Sequence, residues 1–120
     1  MKNTPLKITI LLLTMLSLTG VAKGDEYYSN DAIADAIFEV EGGLKTNFPF
    51  GIKSVYCQGY DDCRKVCLNT IQNNRVRYAE YGHRQYKEFL AFLGSRYCPI
   101  SENGCENWLP NLKFYLKKGK

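Results

Sequence analysis

Downstream of an apolar N-terminus, the first regular hydrophobic pattern predicts a short amphipathic helix over about 31–41, capped by Ser29, Asn30 or Asp31. Its apolar stripe consists of Ile33, Ala36, Ile37 and Val40. At 100° per residue these side chains lie within about 60° of Ile33, and Glu41 lies roughly 80° away, at the edge of the stripe. Glu39 faces the opposite, solvent side. The sequence therefore places Glu41 half in the core at the end of a helix.

Three more helices are predicted farther along the chain. The second runs from a cap at Asp61 or Asp62 to about Tyr81, the third covers about 84–97, and the fourth begins near Trp108. Residues 44–59, rich in Gly, Pro and aromatic residues, predict a loop or short strand pairs. We therefore expect a mainly α (α+β) domain of about four helices, with a small β or irregular insert after the first core helix.

The N-terminus has the features of an export signal. Lys2 and Lys7 precede an apolar run over 8–18. After the run, the small residues Ala22 and Gly24 suit a signal peptidase. We place the signal peptide at 1–24 and the domain at 25–120, with an uncleaved anchor as the alternative. The expected product is exported, periplasmic or secreted, has no stable membrane anchor after cleavage, and is a monomer.

Removal of the signal changes the charge balance. The whole chain carries a net charge of +4, but the signal would take three lysines with it and leave 13 basic against 12 acidic residues. A nearly neutral domain lacks the basic stripe of a nucleic-acid-binding protein, so no nucleic-acid partner is expected. The lysines near the C-terminus are better explained as cations at a helix C-terminus.

Five cysteines, all in the domain, predict two disulfides and one leftover thiol, as is common in small exported domains. The sequence allows 15 such arrangements. We favour Cys67–Cys98, which would join two helices, and Cys57–Cys63, which would close a short loop, with Cys105 free or paired with another chain. A zinc site is disfavoured because the cysteine spacings are irregular and His83 is the only histidine, so no metal is expected.

Glu41 is the candidate for acid chemistry. Gly42 and Gly43 follow it directly and end the helix. A carboxyl group in that place is partly desolvated and lies at the negative end of the helix dipole, and both effects favour its protonated form. A carboxylic acid that holds its proton is what a general acid needs. The alternative is an ordinary solvated residue at a helix end.

The order of helix, Glu-Gly, β-like segment and helical bundle resembles the lysozyme-like superfamily, which includes lytic transglycosylases and goose-type lysozymes. The chain is also similar to small exported bacterial proteins described as transglycosylase-like. Four strings carry this similarity: Ala-Ile-x-x-x-Glu-Gly-Gly at 36–43, Pro-x-Gly-Ile-x-Ser at 49–54, Cys-Leu-Asn-Thr-Ile at 67–71 and Arg-Tyr-Cys-Pro at 96–99. The chain is shorter than typical lytic transglycosylases and lacks their Ala-Tyr-Asn-Ala-Gly string.

The resemblance implies that Glu41 is the catalytic residue and that Ser54 faces a sugar cleft. Thr70 and Asn74 fall inside the apolar stripe of the second helix. They are either a buried polar pair or residues that hydrogen-bond a sugar or orient Glu41. Tyr56 and Tyr97 are candidate sugar-stacking platforms, although tyrosines in a small domain more often belong to its core and rim.

The predicted function is cleavage of the β-1,4 bond between MurNAc and GlcNAc in peptidoglycan, without a cofactor. Hydrolysis usually needs a second carboxylate, and Asp61 and Asp62 are better explained as helix caps. A lytic transglycosylase works with one Glu, because the muramyl 6-hydroxyl replaces water. The alternatives are a hydrolytic lysozyme and a non-catalytic module that binds glycan or an envelope protein. An exported toxin or effector is compatible with either activity.

Overall fold

The computed structural model describes residues 27–119 of the chain. In this part there are four α-helices: α1 at Asn30–Val40, α2 at Gly59–Glu80, α3 at Phe89–Tyr97 and α4 at Trp108–Lys118. The prediction of a mainly α domain with about four helices is confirmed. The predicted signal peptide, 1–24, lies outside the described residues. Within residues 27–119 no helix combines the length and apolar character that a membrane crossing requires.

Helix α1 is the central element of the packing. It begins where the side chain of Ser29 accepts a hydrogen bond from the backbone N–H of Ala32 at 3.1 Å. Its apolar face packs mainly against α4 and α2. The fully buried Ile33 and Ile37 lie on this face. On the outer side, Arg64 of α2 donates to the carboxylates of Asp31 and Asp35 at 3.0 and 2.8 Å, which ties the two helices together.

The insert after α1 is irregular. Apart from a 3-10 turn at Gly43–Lys45, residues 44–58 form no regular element, so a β form of the insert is not found in the described part of the chain. Phe50 anchors the insert, since it is only 1% exposed and its ring packs 5.2 Å from Phe38 and 5.7 Å from Tyr60. The insert is therefore held against α1 and α2 by aromatic packing.

Helix α3 begins later than the sequence pattern predicts, at Phe89 instead of about 84. Gly82–Arg84 forms a 3-10 turn instead, and the hydroxyl of Tyr78 donates to the backbone carbonyl of Tyr86 at 2.9 Å. Gly82 lies so close to the ring of Phe92 that a Cβ there would be 2.7 Å from it. Glu88 has extended backbone, with φ of −132° and ψ of 149°, and the helix begins after it.

The two disulfides are Cys57–Cys63 and Cys98–Cys105. The predicted Cys57–Cys63 pair is present, but the predicted Cys67–Cys98 pair is wrong, and Cys105 is not free. Cys98 is the C-cap of α3 and meets Cys105 across a short loop, with their Cα atoms 5.2 Å apart. Cys67 instead lies fully buried on α2 as a free thiol. Two disulfides fit an oxidising compartment.

Candidate active site

Glu41 occupies the C-cap position of α1. Its backbone N–H donates to the carbonyl of Ile37 at 2.8 Å, and Gly42 then adopts a left-handed conformation with φ of 95°. A residue with a side chain adopts that conformation only with strain, so the glycine explains why the helix stops here. The half-buried carboxylate of Glu41 is thereby placed at the end of α1.

The carboxylate of Glu41 is held by Trp108, which is the first residue of α4. The indole Nε1 of Trp108 donates to Oε2 of Glu41 at 2.8 Å, across 67 residues of sequence. Because Trp108 is 6% exposed, its N–H needs a partner inside the protein. The sequence analysis did not select Trp108 as a site residue, although it is the only tryptophan of the chain.

Gly51 of the insert lies against the same carboxylate. It has a φ of 75°, and a Cβ at this position would lie only 2.5 Å from Cδ of Glu41. A larger residue would displace the carboxylate or the insert. The Gly-Ile-x-Ser segment therefore contributes its glycine, Gly51, to the surroundings of Glu41.

One oxygen of Glu41 remains open. Oε2 accepts from Trp108, and Oε1 has no hydrogen-bond partner within residues 27–119. In that part of the chain the one buried side-chain nitrogen or oxygen without a partner is Oδ1 of Asn74. Oε1 of Glu41 is therefore not fully buried, although Gly51 of the insert lies against it.

Tyr97 packs against Trp108, the hydrogen-bond partner of Glu41. Its ring stacks on Trp108 with centroids 5.2 Å apart and an interplanar angle of 21°. Its hydroxyl lies 3.4 Å from Sγ of Cys67, and burial is the main cause that raises the pKa of Tyr97. The structure thus brings Tyr97 next to Glu41 through Trp108, with its hydroxyl directed to the buried thiol.

Thr70 and Asn74 hydrogen-bond the backbone of their own helix. The hydroxyl of Thr70 donates to the carbonyl of Val66, and the amide of Asn74 donates to the carbonyl of Thr70, each at 2.9 Å. Neither forms a hydrogen bond with Glu41 in the described structure. Ser54 and Tyr56 are exposed on the insert, Tyr56 by 85%, and likewise form no hydrogen bond with the acid.

The acids near the start of α2 do not pair with Glu41. Oδ2 of Asp62 accepts from the backbone N–H of Gln58 at 2.8 Å, and Asp61 is exposed in the first turn of α2. The predicted cap at Asp61 or Asp62 is wrong, because α2 begins at Gly59 with Gln58 as its N-cap, so both acids lie inside the helix. Residues 27–119 also contain no cluster of three His, Cys, Asp or Glu side chains that fits a metal ion. The site around Glu41 therefore offers single-carboxylate chemistry from the residues described.

The two larger cavities lie away from Glu41. One of about 550 Å³ runs between α1 and the end of α4, and one of about 350 Å³ lies among the start of α1, the second half of α2, the start of α3 and α4. Glu41 lines neither cavity.

Comparison of the chain with protein-family models, with curated proteins and with solved structures gives no match. The resemblance to the lysozyme-like superfamily therefore stays a prediction from the sequence.

Proposed function

We propose that this chain is an exported peptidoglycan glycosidase of the lytic transglycosylase type, with Glu41 as its acid and base. The observation that carries the proposal is the state of the Glu41 carboxylate. One oxygen is fixed by the indole N–H of Trp108, the other is unpaired and not fully buried, and Gly51 of the insert leaves room for the group. Such a fixed and accessible carboxyl group is suited to proton transfer in a defined direction.

The reaction needs only one carboxyl group. Glu41 gives its proton to the glycosidic oxygen as the bond from that oxygen to C1 of the muramyl sugar breaks. The 6-hydroxyl of the same sugar then attacks C1, and the carboxylate takes the hydroxyl proton. Glu41 returns to its starting state, and the product carries a 1,6-anhydro ring. The hydrogen bond that Asp62 accepts from the backbone N–H of Gln58 supports this route over hydrolysis, which usually uses a second carboxylate.

Export to the periplasm or the outside of the cell belongs to the same proposal. The two disulfides support a location in an oxidising compartment, which is where peptidoglycan is exposed. The signal-like pattern over 1–24 supports it from the sequence side.

The test is muropeptide analysis of sacculi incubated with the purified protein. We expect anhydro-ended products from the wild type and none from Glu41→Gln. Glu39→Gln is the matched control, because Glu39 lies on the same helix but is exposed. New reducing ends in place of anhydro ends would assign the protein to the hydrolases. If the wild-type protein and buffer give the same muropeptide profile, the proposal that the protein is an enzyme is refuted.

A module that binds glycan without cleaving it is the second candidate. It is favoured by the position of the two larger cavities, which do not include Glu41. In that case wild type and Glu41→Gln are retained equally by insoluble sacculi, and neither produces soluble fragments at any pH. Loss of fragments with Glu41→Gln alone would exclude this candidate.

A further inference from the structure

The cavity of about 350 Å³ has a charge composition that the glycosidase proposal does not use. Four charged residues line it: Arg75, Glu88, Lys113 and Lys117. Lys113 Nζ lies 2.9 Å from Oε1 of Glu88 and donates to its Oε2 at 3.1 Å, so these two charges neutralise each other. Arg75 and Lys117 form no ion pair within residues 27–119 and leave the cavity with two uncompensated positive charges.

Arg75 is held in place by neutral groups only. Its Nε donates to Oδ1 of Asn30 and its Nη2 to the carbonyl of Tyr28, each at 2.6 Å. Nη1 has no hydrogen-bond partner in the described part of the chain and is not buried. One edge of the guanidinium is therefore fixed, and the opposite nitrogen remains available to a ligand.

The guanidinium also lies between two aromatic rings. Its Cζ is 4.9 Å from the ring centroid of Tyr27 and 4.5 Å from that of Phe89. Burial lowers the pKa of Arg75, because the charged form loses hydration. A half-buried guanidinium without a counter-ion is unfavourable, and an acidic group that enters the cavity would offset that cost.

The walls of the cavity are largely apolar. Tyr27, Phe89, Ile33 and Leu90 line it together with the charged groups. A volume of about 350 Å³ is at the small end of the range for ligand sites, which is roughly 300–1,000 Å³. The space suits a small molecule with an apolar body.

We propose that this cavity binds a small organic acid, with its carboxylate on Arg75 and Lys117 and its apolar body against the aromatic rings. Nη1 of Arg75, which the bonds to Asn30 and Tyr28 leave available, and Nζ of Lys117 can each donate a charge-assisted hydrogen bond to a carboxylate oxygen. The inference is independent of the proposed glycosidase activity, since Glu41 does not line the cavity.

The test is a calorimetric titration of the purified protein with 3-phenylpropanoate and with its uncharged amide at equal ionic strength. We expect the acid to bind at least about tenfold more tightly than the amide, since the charge-assisted hydrogen bonds are lost with the amide. Because this comparison uses the wild type alone, it does not depend on the folding of a variant. Equal binding of acid and amide, or no binding of either, would overturn the proposal.

Three variants locate the site. Lys117→Gln is expected to weaken binding of the acid several-fold and Arg75→Gln about tenfold or more, whereas Lys118→Gln is expected to leave it unchanged. Lys118 is the matched control, because it neighbours Lys117 on α4 but does not line this cavity. Arg75→Lys keeps the charge and is expected to bind with intermediate affinity. If both Lys117→Gln and Arg75→Gln bind the acid as tightly as the wild type does, the assignment of the site to this cavity is overturned.

Two further binding measurements test the ligand class and the independence from Glu41. Inorganic phosphate that binds as tightly as the acid would show that the aromatic walls contribute nothing, and would overturn the assignment to an organic acid. Glu41→Gln is expected to bind the acid as the wild type does. The two proposals can therefore fail separately, because Glu41→Gln is expected to lose sacculus cleavage and to keep binding of the organic acid.

Discussion

At the level of single residues, Glu41 depends on two neighbours that come from distant parts of the chain. Trp108 fixes one carboxylate oxygen, and Gly51 leaves the space in which the carboxylate lies. Each neighbour can be tested by one substitution outside the helix that ends at Glu41. Single substitutions at these two positions therefore test the geometry around Glu41 most directly.

Trp108→Phe removes the indole N–H and keeps an aromatic ring beside Tyr97. We expect a loss of unfolding free energy of about 1.5–3 kcal/mol, since the hydrogen bond is made to a carboxylate, and a loss of sacculus cleavage. Denaturant unfolding measures the first effect. In a Glu41→Ala background the same substitution is expected to cost less, because the partner is absent. Equal costs in both backgrounds would contradict a direct interaction.

Gly51→Ala brings a methyl group into the space of the Glu41 carboxylate. Gly59→Ala is the matched control, because Gly59 has a similar φ of 80° but no atom within 4 Å of its added Cβ. Both variants carry the strain of a left-handed alanine, about 1–2 kcal/mol. We expect Gly51→Ala to be the less stable of the two and to lose cleavage, while Gly59→Ala keeps it. Chemical denaturation and muropeptide analysis compare them.

At the level of elements, the disulfides act on the two connections that flank the site. Cys57–Cys63 closes the junction between the insert and α2, and Cys98–Cys105 closes the loop between α3 and α4. The second bridge holds the loop that leads to Trp108. The position of the indole therefore depends on an element boundary as well as on a single hydrogen bond.

The Cys98→Ala/Cys105→Ala double variant is expected to lose about 2.5 kcal/mol of unfolding free energy, since it reopens a short loop in the unfolded chain. It is also expected to weaken cleavage through Trp108. Peptide mapping without reduction gives the direct check of the pairing and should recover Cys98 linked to Cys105, with Cys67 unlinked. A Cys67–Cys98 peptide would contradict the fold described above.

At the level of the whole molecule, one core joins all four helices and the insert. Cys67 lies fully buried in it, next to the hydroxyl of Tyr97. Burial is the main cause that raises the pKa of this thiol, from 9.0 to about 11. The neutral thiol is therefore part of the folded state, and its ionisation favours unfolding.

The stability of the protein should depend on pH through Cys67. Because the pKa is higher in the folded state, the contribution of Cys67 is complete below about pH 9 and is lost as the pH rises to about 11. The expected loss is up to about 3 kcal/mol of unfolding free energy. Urea unfolding between pH 8 and pH 11 measures it.

Cys67→Ala is the control for this prediction. All other titratable groups are present in both proteins, and burial, the main cause that raises the pKa of Tyr97, acts in both, so the difference between the two pH curves reports mainly the thiol. The variant is expected to show a shallower fall between about pH 9 and pH 11. Parallel curves for the two proteins would show that the thiol contributes nothing to the pH dependence.

Features governed by neighbouring residues could be read from the sequence. The stripe of α1, the glycine stop after Glu41, the number of helices and the Cys57–Cys63 pair all depend on residues a few positions apart. Local periodicity and short loops constrain such features strongly. The start of α3 is the exception, because the chain forms a 3-10 turn at Gly82–Arg84 and becomes helical again only at Phe89.

Features that join distant residues were decided only by the tertiary structure. The hydrogen bond from Trp108 to Glu41, the approach of Gly51, the burial of Cys67 and the cavity at Arg75 depend on how α1 packs against α2, α4 and the insert. Hydrophobic patterning says which face of a helix is buried but not which partner it meets. The sequence by itself thus determined the helix that ends in Glu41, and three-dimensional packing determined the side chains that surround its carboxylate.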